Sequence, residues 1–239
     1  MNYQTVFKRY ELKYLLTQAQ RAQLLRAMSP YMALDSFGHS TIRNIYFDTD
    51  SYRLARRSIE QPAYKEKLRL RGYGEGDGDS TAFVELKKKY DSVVYKRRLS
   101  LPEGRAMSWL CGGSGTPDGS QIAGEIDYLL EYYESIHPVV FLSYERDAYY
   151  SRDGGDFRMT FDENIVGREE ELELWSDIWG APLLGGDRVL MEIKTSGGIP
   201  LWLSAFLTER GIYKSSFSKY GTAYQNLIIH AFEGGRLYA

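Results

Sequence analysis

One cysteine, Cys111, stands in a chain of 239 residues. No disulfide can form within the chain, and such usage suits a reducing compartment. Histidine is almost as scarce: His39, His137 and His230 are too scattered to make a metal-ligand pattern. No apolar run approaches the roughly 20 residues of a membrane helix. The polar start MNYQTVFKRYELK also lacks the apolar stretch of a signal peptide. These absences predict a soluble, cytoplasmic protein. A large charge of one sign is missing too. At a net charge of −2, no global field recruits nucleic acid or anionic lipid, so no nucleic-acid partner is expected. Any anion site must arise from local segregation of charge.

Aromatic and apolar residues are plentiful. Twenty Tyr, ten Phe and short alternating runs with Val, Ile and Thr favour a β-rich fold over a helical bundle. The length fits one compact domain, residues 1–239. Period-two alternation predicts strands near residues 5–15, 41–47, 64–72, 81–89, 93–101, 138–149, 157–162 and 187–195, enough to close a barrel. Helices are predicted over 18–28 behind Thr17, 121–136 behind Ser120, 201–210 from Pro200, and about 219–232 after Ser218. The stretches GEGDGDS (74–80) and GGSGTPDGS (112–120) read as turns and surface loops.

Residues two apart in a strand share a face, so each charged series separates from its apolar partners. Arg9, Glu11 and Lys13 oppose Tyr10, Leu12 and Tyr14. Lys67, Arg69 and Arg71 oppose Leu68 and Leu70, and Glu85, Lys87 and Lys89 oppose Val84 and Leu86. Lys96 and Arg98 lie on one side of the hairpin return. Tyr144 pairs with Arg146, Arg158 with Thr160 and Asp162, and Glu192 with Lys194.

Any one such strand is an ordinary solvated sheet face. Repetition over many strands, mainly cationic in a slightly acidic chain, points further. Closed into a barrel with apolar faces outward under helices, these series would line a lumen. Burying an ion costs several kcal/mol, so that lumen must be wet and supplied with anions. At an effective dielectric near 20, one charge pair at 4 Å is worth about 4 kcal/mol, enough for a polyanion to offset the repulsion. The expectation is a basic tunnel for a phosphate chain, with Arg as forks and Lys as point charges. Glu11, Glu85 and Glu192 would either pair with neighbouring cations or hold a hard divalent cation.

Several segments, in order, resemble the catalytic domain of the vacuolar transporter chaperone (VTC) polyphosphate polymerases, in the triphosphate tunnel metalloenzyme superfamily. They are RYELKY (9–14), IYFDT (45–49), KLRLRGYG (67–74), VELKKK (84–89), VYKRRL (94–99), YERDAY (144–149), RMTFDENI (158–165), LMEIKTSGGIPLWL (190–203) and SFSKYG (216–221). The resemblance implies an α+β fold: an eight-stranded antiparallel β-barrel around a basic tunnel, with helices packed outside. It implies that Lys13, Arg69, Arg71, Lys87, Lys96, Arg146, Arg158 and Lys219 bind phosphates, with Tyr144 and Ser218 as minor contacts and Glu192 as metal ligand. The face pattern adds Lys67, Arg98 and Lys194 as further cations.

The implied activity is a metal-dependent phosphotransferase, using Mn²⁺ or Mg²⁺ to pass the terminal phosphoryl group of ATP to phosphate or polyphosphate. Arg69, Arg71, Arg146, Arg158 and Glu192 would act at the reacting phosphates. Two rivals are an inorganic or nucleoside triphosphatase and a non-catalytic polyphosphate-binding subunit of a membrane complex. The hydrolytic branch opens with Glu-x-Glu-x-Lys, whereas here Arg9 replaces the first acid. The sequence also shows no counterpart of the family's inositol-phosphate-sensing domain or membrane helices, so product translocation would need a membrane-protein partner. The run EEELELW (169–175) reads as a solvated loop or helix face. Trp175, Trp179 and Trp202 read as packing residues, and Cys111 as unactivated.

Overall fold

A computed structural model describes residues 10–60, 62–91, 93–113 and 117–229. Arg9, the first residues of the predicted N-terminal strand, part of the 112–120 loop, His230 and the end of the last predicted helix lie outside the described residues.

All eight predicted strands form, several of them longer than expected: β1 (Tyr10–Thr17), β2 (Met32–Asp48), β3 (Tyr64–Tyr73), β4 (Thr81–Tyr90), β5 (Val93–Pro102), β6 (His137–Ser151), β7 (Arg158–Arg168) and β9 (Arg188–Thr195). A two-residue strand, β8 (Ala181–Pro182), adds to β7. Hydrogen bonding runs in the order β1-β9-β7-β6-β2-β3-β4-β5 in an antiparallel sheet with helices outside.

Among the described residues, the sheet is not closed into the expected barrel. Closure would require the outer edge of β1 to receive another strand. At Lys13 and Tyr14 that edge is occupied instead by a non-strand segment, since Tyr14 bridges Lys214 and the Ser215 amide donates to the Lys13 carbonyl at 2.7 Å.

Local chemistry sets the helices. At α1 (Gln18–Met28), Thr17 Oγ1 accepts from the Gln20 amide at 3.1 Å while the Gln20 side chain accepts from the Thr17 amide at 2.9 Å, a reciprocal capping box. Ser120 caps α4 (Gln121–Tyr133), and Pro200 precedes α5 (Leu201–Glu209). The last predicted helix is α6 (Lys219–Ala223), continued by π-helical turns over Tyr224–Ile229. Two helices escape the sequence reading, α2 (Arg53–Glu60) and α3 (Glu103–Leu110). In α2, RLARRSIE offers few apolar residues, and its cap comes from upstream: Asp48 accepts the Leu54 and Ala55 amides, each at 2.8 Å.

The described chain divides into two compact units, each with its own core. Unit one comprises the N-terminal residues to Ser40, Tyr144–Ile165 and Leu184–Phe217. Its core gathers Leu16 and Leu24 with Met159, Phe161, Met191, Ile193 and Leu203. Trp202 stacks on Tyr31 there, ring centroids 4.9 Å apart. Unit two comprises Thr41–Ser143, Val166–Leu183 and the residues from Ser218. Its core sets Ile45, Phe47, Leu68, Leu70, Val84 and Leu86 with Trp109, Ile126, Leu129 and Phe141. The apolar halves of the alternating strands thus lie under helices. Each fully buried Leu or Phe contributes about 1.5–3 kcal/mol.

The acidic run after β7 is a loop. Two buried arginines shape it largely through backbone carbonyls. Arg168 donates to the carbonyls of Glu170, Glu171, Asp177 and Trp179 and to Ser176 Oγ, with its guanidinium 3.8 Å over the Phe141 ring. Arg43 donates to the Gly74 and Ser176 carbonyls. Trp175 packs over the backbone of β3 at Gly72, and Trp179 lies under Arg168. Cys111 is a free, exposed thiol whose pKa burial pushes up, so it has no activated character. No helix among the described residues is long and apolar enough to cross a membrane.

Candidate functional site

In unit two, the registers of β3, β4 and β5 bring the predicted cations into rows. Lys67 faces Lys87, and Lys87 faces Lys96, so three lysines stand side by side across three strands. The next row is Arg69, Glu85 and Arg98, and the one after is Arg71, Phe83 and Ser100. Directly opposed side chains have Cβ atoms about 4.5–5.5 Å apart, and like charges there destabilise the sheet. A row of three lysines therefore strains the sheet, and Glu85, 2.7 Å from Lys96, offsets only part of that like charge.

Glu85 holds the middle row together. Its Oε2 accepts from Arg69 Nε at 2.9 Å and Nη2 at 2.6 Å; its Oε1 accepts from Arg98 Nε at 2.7 Å and lies 2.7 Å from Lys96 Nζ. Arg71 Nε lies 3.9 Å away. Burial would raise this carboxyl, but Arg69, Arg71 and Lys96 outweigh it and hold Glu85 far below the usual carboxylate range. Lys96 shifts downward despite the ion pair, because burial and the flanking Arg98 and Arg69 outweigh Glu85.

Two phenols register the same field. Burial would raise Tyr46 and Tyr73, yet both are pulled below the ordinary tyrosine value, Tyr46 by Arg69, Arg71 and Lys219, Tyr73 by Arg71 and Arg98.

A polar relay positions these cations. Arg69 Nη1 donates to Tyr46 Oη at 3.0 Å; Tyr46 stacks on Tyr220, centroids 4.4 Å apart; Tyr220 Oη donates to buried Asp48 at 2.6 Å. Arg71 Nε donates to Asn44 Oδ1 at 3.0 Å, and Asn44 is anchored on the Leu142 carbonyl. Lys67 Nζ donates to Ser218 Oγ at 3.1 Å, and Ser218 in turn caps α6, where Lys219 is buried. Sequence reasoning gave Asn44, Tyr46, Asp48 and Tyr220 no role. The available signal was the alternation of Asn44, Tyr46 and Asp48 with Ile45 and Phe47.

Unit one carries the remaining predicted residues. Glu11, Lys194 and Arg158 form one row across β1, β9 and β7, and Lys13, Glu192 and Thr160 form the next. Lys13 Nζ lies 3.3 Å from Glu192 Oε1 and 3.5 Å from Glu11, and donates to the Phe217 carbonyl at 3.1 Å. Arg146 forks onto Asp162 at 2.6 and 2.7 Å, reaches Glu192 Oε2 at 3.5 Å, and sits 5.1 Å over the Tyr144 ring. Burial disfavours its charge, but Tyr144, Asp162 and Glu192 raise Arg146 well above its ordinary value. Arg158 is exposed. Asp162, wholly buried, is the structural partner that the sequence reading placed on this face without a role.

The carboxylates separate in their fitness for a metal. Among the described residues no three or more His, Cys, Asp or Glu side chains gather to hold one. Mg²⁺ and similar ions, however, are commonly held by one or two carboxylates plus substrate phosphates and water. Glu192 suits that mode: its contacts with Lys13 at 3.3 Å and Arg146 at 3.5 Å are long, and opposite it in register the buried Thr160 Oγ1 has no hydrogen-bond partner among the described residues. Glu11, on the same face, is a second carboxylate nearby, 3.5 Å from Lys13. Glu85 does not suit it, because four cations crowd its oxygens; the structure favours its ion-pair role.

No protein of curated function matches the chain in sequence. Solved structures share its fold. A candidate adenylate cyclase from Bacillus halodurans has a TM-score of 0.55 at 13% identity, over 93% of this chain and 97% of that one. HpAC1, a candidate adenylyl cyclase from Hippeastrum reported with a dominant triphosphatase activity, has a TM-score of 0.50 at 16% identity, over 94% and 95%. At such identities the likeness is one of fold, not of chemistry. In sequence, the VTC domain matches residues 8–228, and with nearly the whole chain inside that match, the protein belongs to the VTC domain family.

Proposed function

We propose that this protein is a cytoplasmic polyphosphate polymerase that transfers the γ-phosphoryl group of ATP to a growing polyphosphate chain. An oxygen of the acceptor's terminal phosphate forms the new bond to the γ-phosphorus. The bond from that phosphorus to the β,γ-bridging oxygen breaks, and ADP leaves with the electron pair. Such a transfer asks mainly for alignment and charge neutralisation. The observation that carries the reading is the Lys67–Lys87–Lys96 row, a repulsive arrangement that a chain of phosphates would stabilise.

Within unit two, Arg69, Arg71 and Arg98 would donate to phosphate oxygens while Lys67, Lys87, Lys96 and Lys219 supply charge. Ser218 would add a hydroxyl. Within unit one, Lys13, Arg146, Arg158, Lys194 and Tyr144 would serve a phosphate in the same way. Glu192, with Glu11 as the nearby second carboxylate, would hold Mn²⁺ or Mg²⁺. When bound there, such an ion would supply charge withdrawal from phosphate oxygens. Moving the product across a membrane would require a membrane-protein partner.

The test is product analysis by phosphorus NMR and polyphosphate gels after incubation with ATP and Mn²⁺, beside Arg69→Ala and Glu192→Ala. Long chains with ADP, lost in both variants, support the polymerase. Orthophosphate alone would replace it with a triphosphatase, and unchanged ATP with bound polyphosphate would replace it with a binding subunit.

A further inference from the structure

We infer that Tyr73 is a stacking platform for the nucleobase of the donor, so that the nucleotide lies along unit two with its base at Tyr73 and its terminal phosphate toward the lysine row. This rests on the ATP-dependent reading above.

The charged face of β3 continues through Lys67, Arg69, Arg71 and Tyr73, each step of two residues advancing about 7 Å. Its chemistry changes along the way, from a row of lysines through rows carrying guanidinium groups to an aromatic pair. Tyr73 and Phe83 meet edge to face, with centroids 5.6 Å apart. Arg98 lies 4.5 Å over the Phe83 ring and donates to Tyr73 Oη at 2.9 Å. The Tyr73 ring is therefore fixed at its hydroxyl and along its edge, yet it remains 41% exposed.

An aromatic placed only for packing would belong to the core under the helices, where Leu68 and Leu70 lie on the other face of the same strand. Tyr73 stands on the charged face instead. Holding Arg98 uses the Tyr73 hydroxyl and leaves the exposed face of the ring to a ligand. A nucleotide suits that face, because every base presents a π-face and stacking needs no preorganised hydrogen bonds. From Tyr73 to Arg69 the strand runs about 13 Å, leaving room for ribose and the first phosphates before the guanidinium groups.

The test measures dissociation constants for ATP and inorganic tripolyphosphate with the wild-type chain, Tyr73→Phe and Tyr73→Ala. Tyr73→Ala is expected to weaken ATP roughly 5- to 100-fold. Tripolyphosphate binding, which also reports that the variant is folded, should change far less than ATP binding, because Glu85 still holds Arg98, and Tyr73→Phe should keep ATP near wild type. Equal weakening of both ligands, no weakening of ATP, or a Phe variant as poor as the Ala variant would overturn the platform. Wild-type protein binding tripolyphosphate and ATP equally well would overturn it too, while leaving the phosphate site standing. Neither ligand binding would overturn the phosphate site itself, and the platform with it.

Discussion

Asp162 accepts two parallel hydrogen bonds from Arg146, 2.6 Å from Nε and 2.7 Å from Nη2, and its own side chain is wholly buried. Removing one partner of such a pair strands the other charge in a poorly solvated place. Asp162→Ala should therefore destabilise the protein by about 3–5 kcal/mol. A urea titration checks it, and a midpoint near wild type would show that Arg146 finds another anion.

Glu85→Gln should leave four cations without their shared counter-charge. The loss is expected to be several kcal/mol. Added tripolyphosphate should then raise the melting temperature of the variant more than that of wild type, because the anion meets a stronger unbalanced charge. The pH dependence has a defined sign: the folded-state pKa of Glu85 is depressed, so its stabilisation is present above the ordinary glutamate range and is lost as pH falls toward the folded value. Acid titrations of both proteins should differ mainly there.

Lys96 gives a linkage signal of opposite origin. Its pKa lies below that of a free lysine, with burial the first cause, so the folded chain holds this proton less firmly than the unfolded chain. Stability from this group should rise with pH between the folded and the ordinary lysine values. A bound polyphosphate should return the pKa upward, so binding in alkaline buffer takes up protons. Calorimetry in buffers of different ionisation enthalpy should detect that uptake, and Lys96→Met should remove it.

Gly72 is held against Trp175. A Cβ at Gly72 would fall 2.4 and 2.7 Å from two carbons of the Trp175 ring, which must then move. Gly72→Ala is expected to cost about 1–3 kcal/mol through overpacking. In a Trp175→Ala background the same substitution should cost clearly less, a coupling that a double-mutant cycle measures.

Much of this architecture was legible because strand alternation is a local property. Leu68 and Leu70 entered the core and Arg69 and Arg71 the opposite face, as period two requires. The caps at Thr17 and Ser120 were equally local. What stayed hidden depends on partners distant in sequence. Asp48 caps α2 and receives Tyr220 from 172 positions away, so the start of this short, charge-rich helix carries no capping signal next to it in sequence. Arg168 orders a loop through backbone carbonyls, which no side-chain pattern records. The open sheet was missed for a related reason: a non-strand segment around Lys214 occupies the edge of β1. The division of the predicted site residues between two units also follows from chain connectivity, which alternation along single strands does not encode.

The central claim is that the γ-phosphoryl group of ATP ends in a polymer. Labelling that phosphorus and measuring how the label divides between polyphosphate and orthophosphate, with ADP counted alongside, tests it most directly. The account predicts label in long chains matched by ADP. Label found in orthophosphate alone would contradict it.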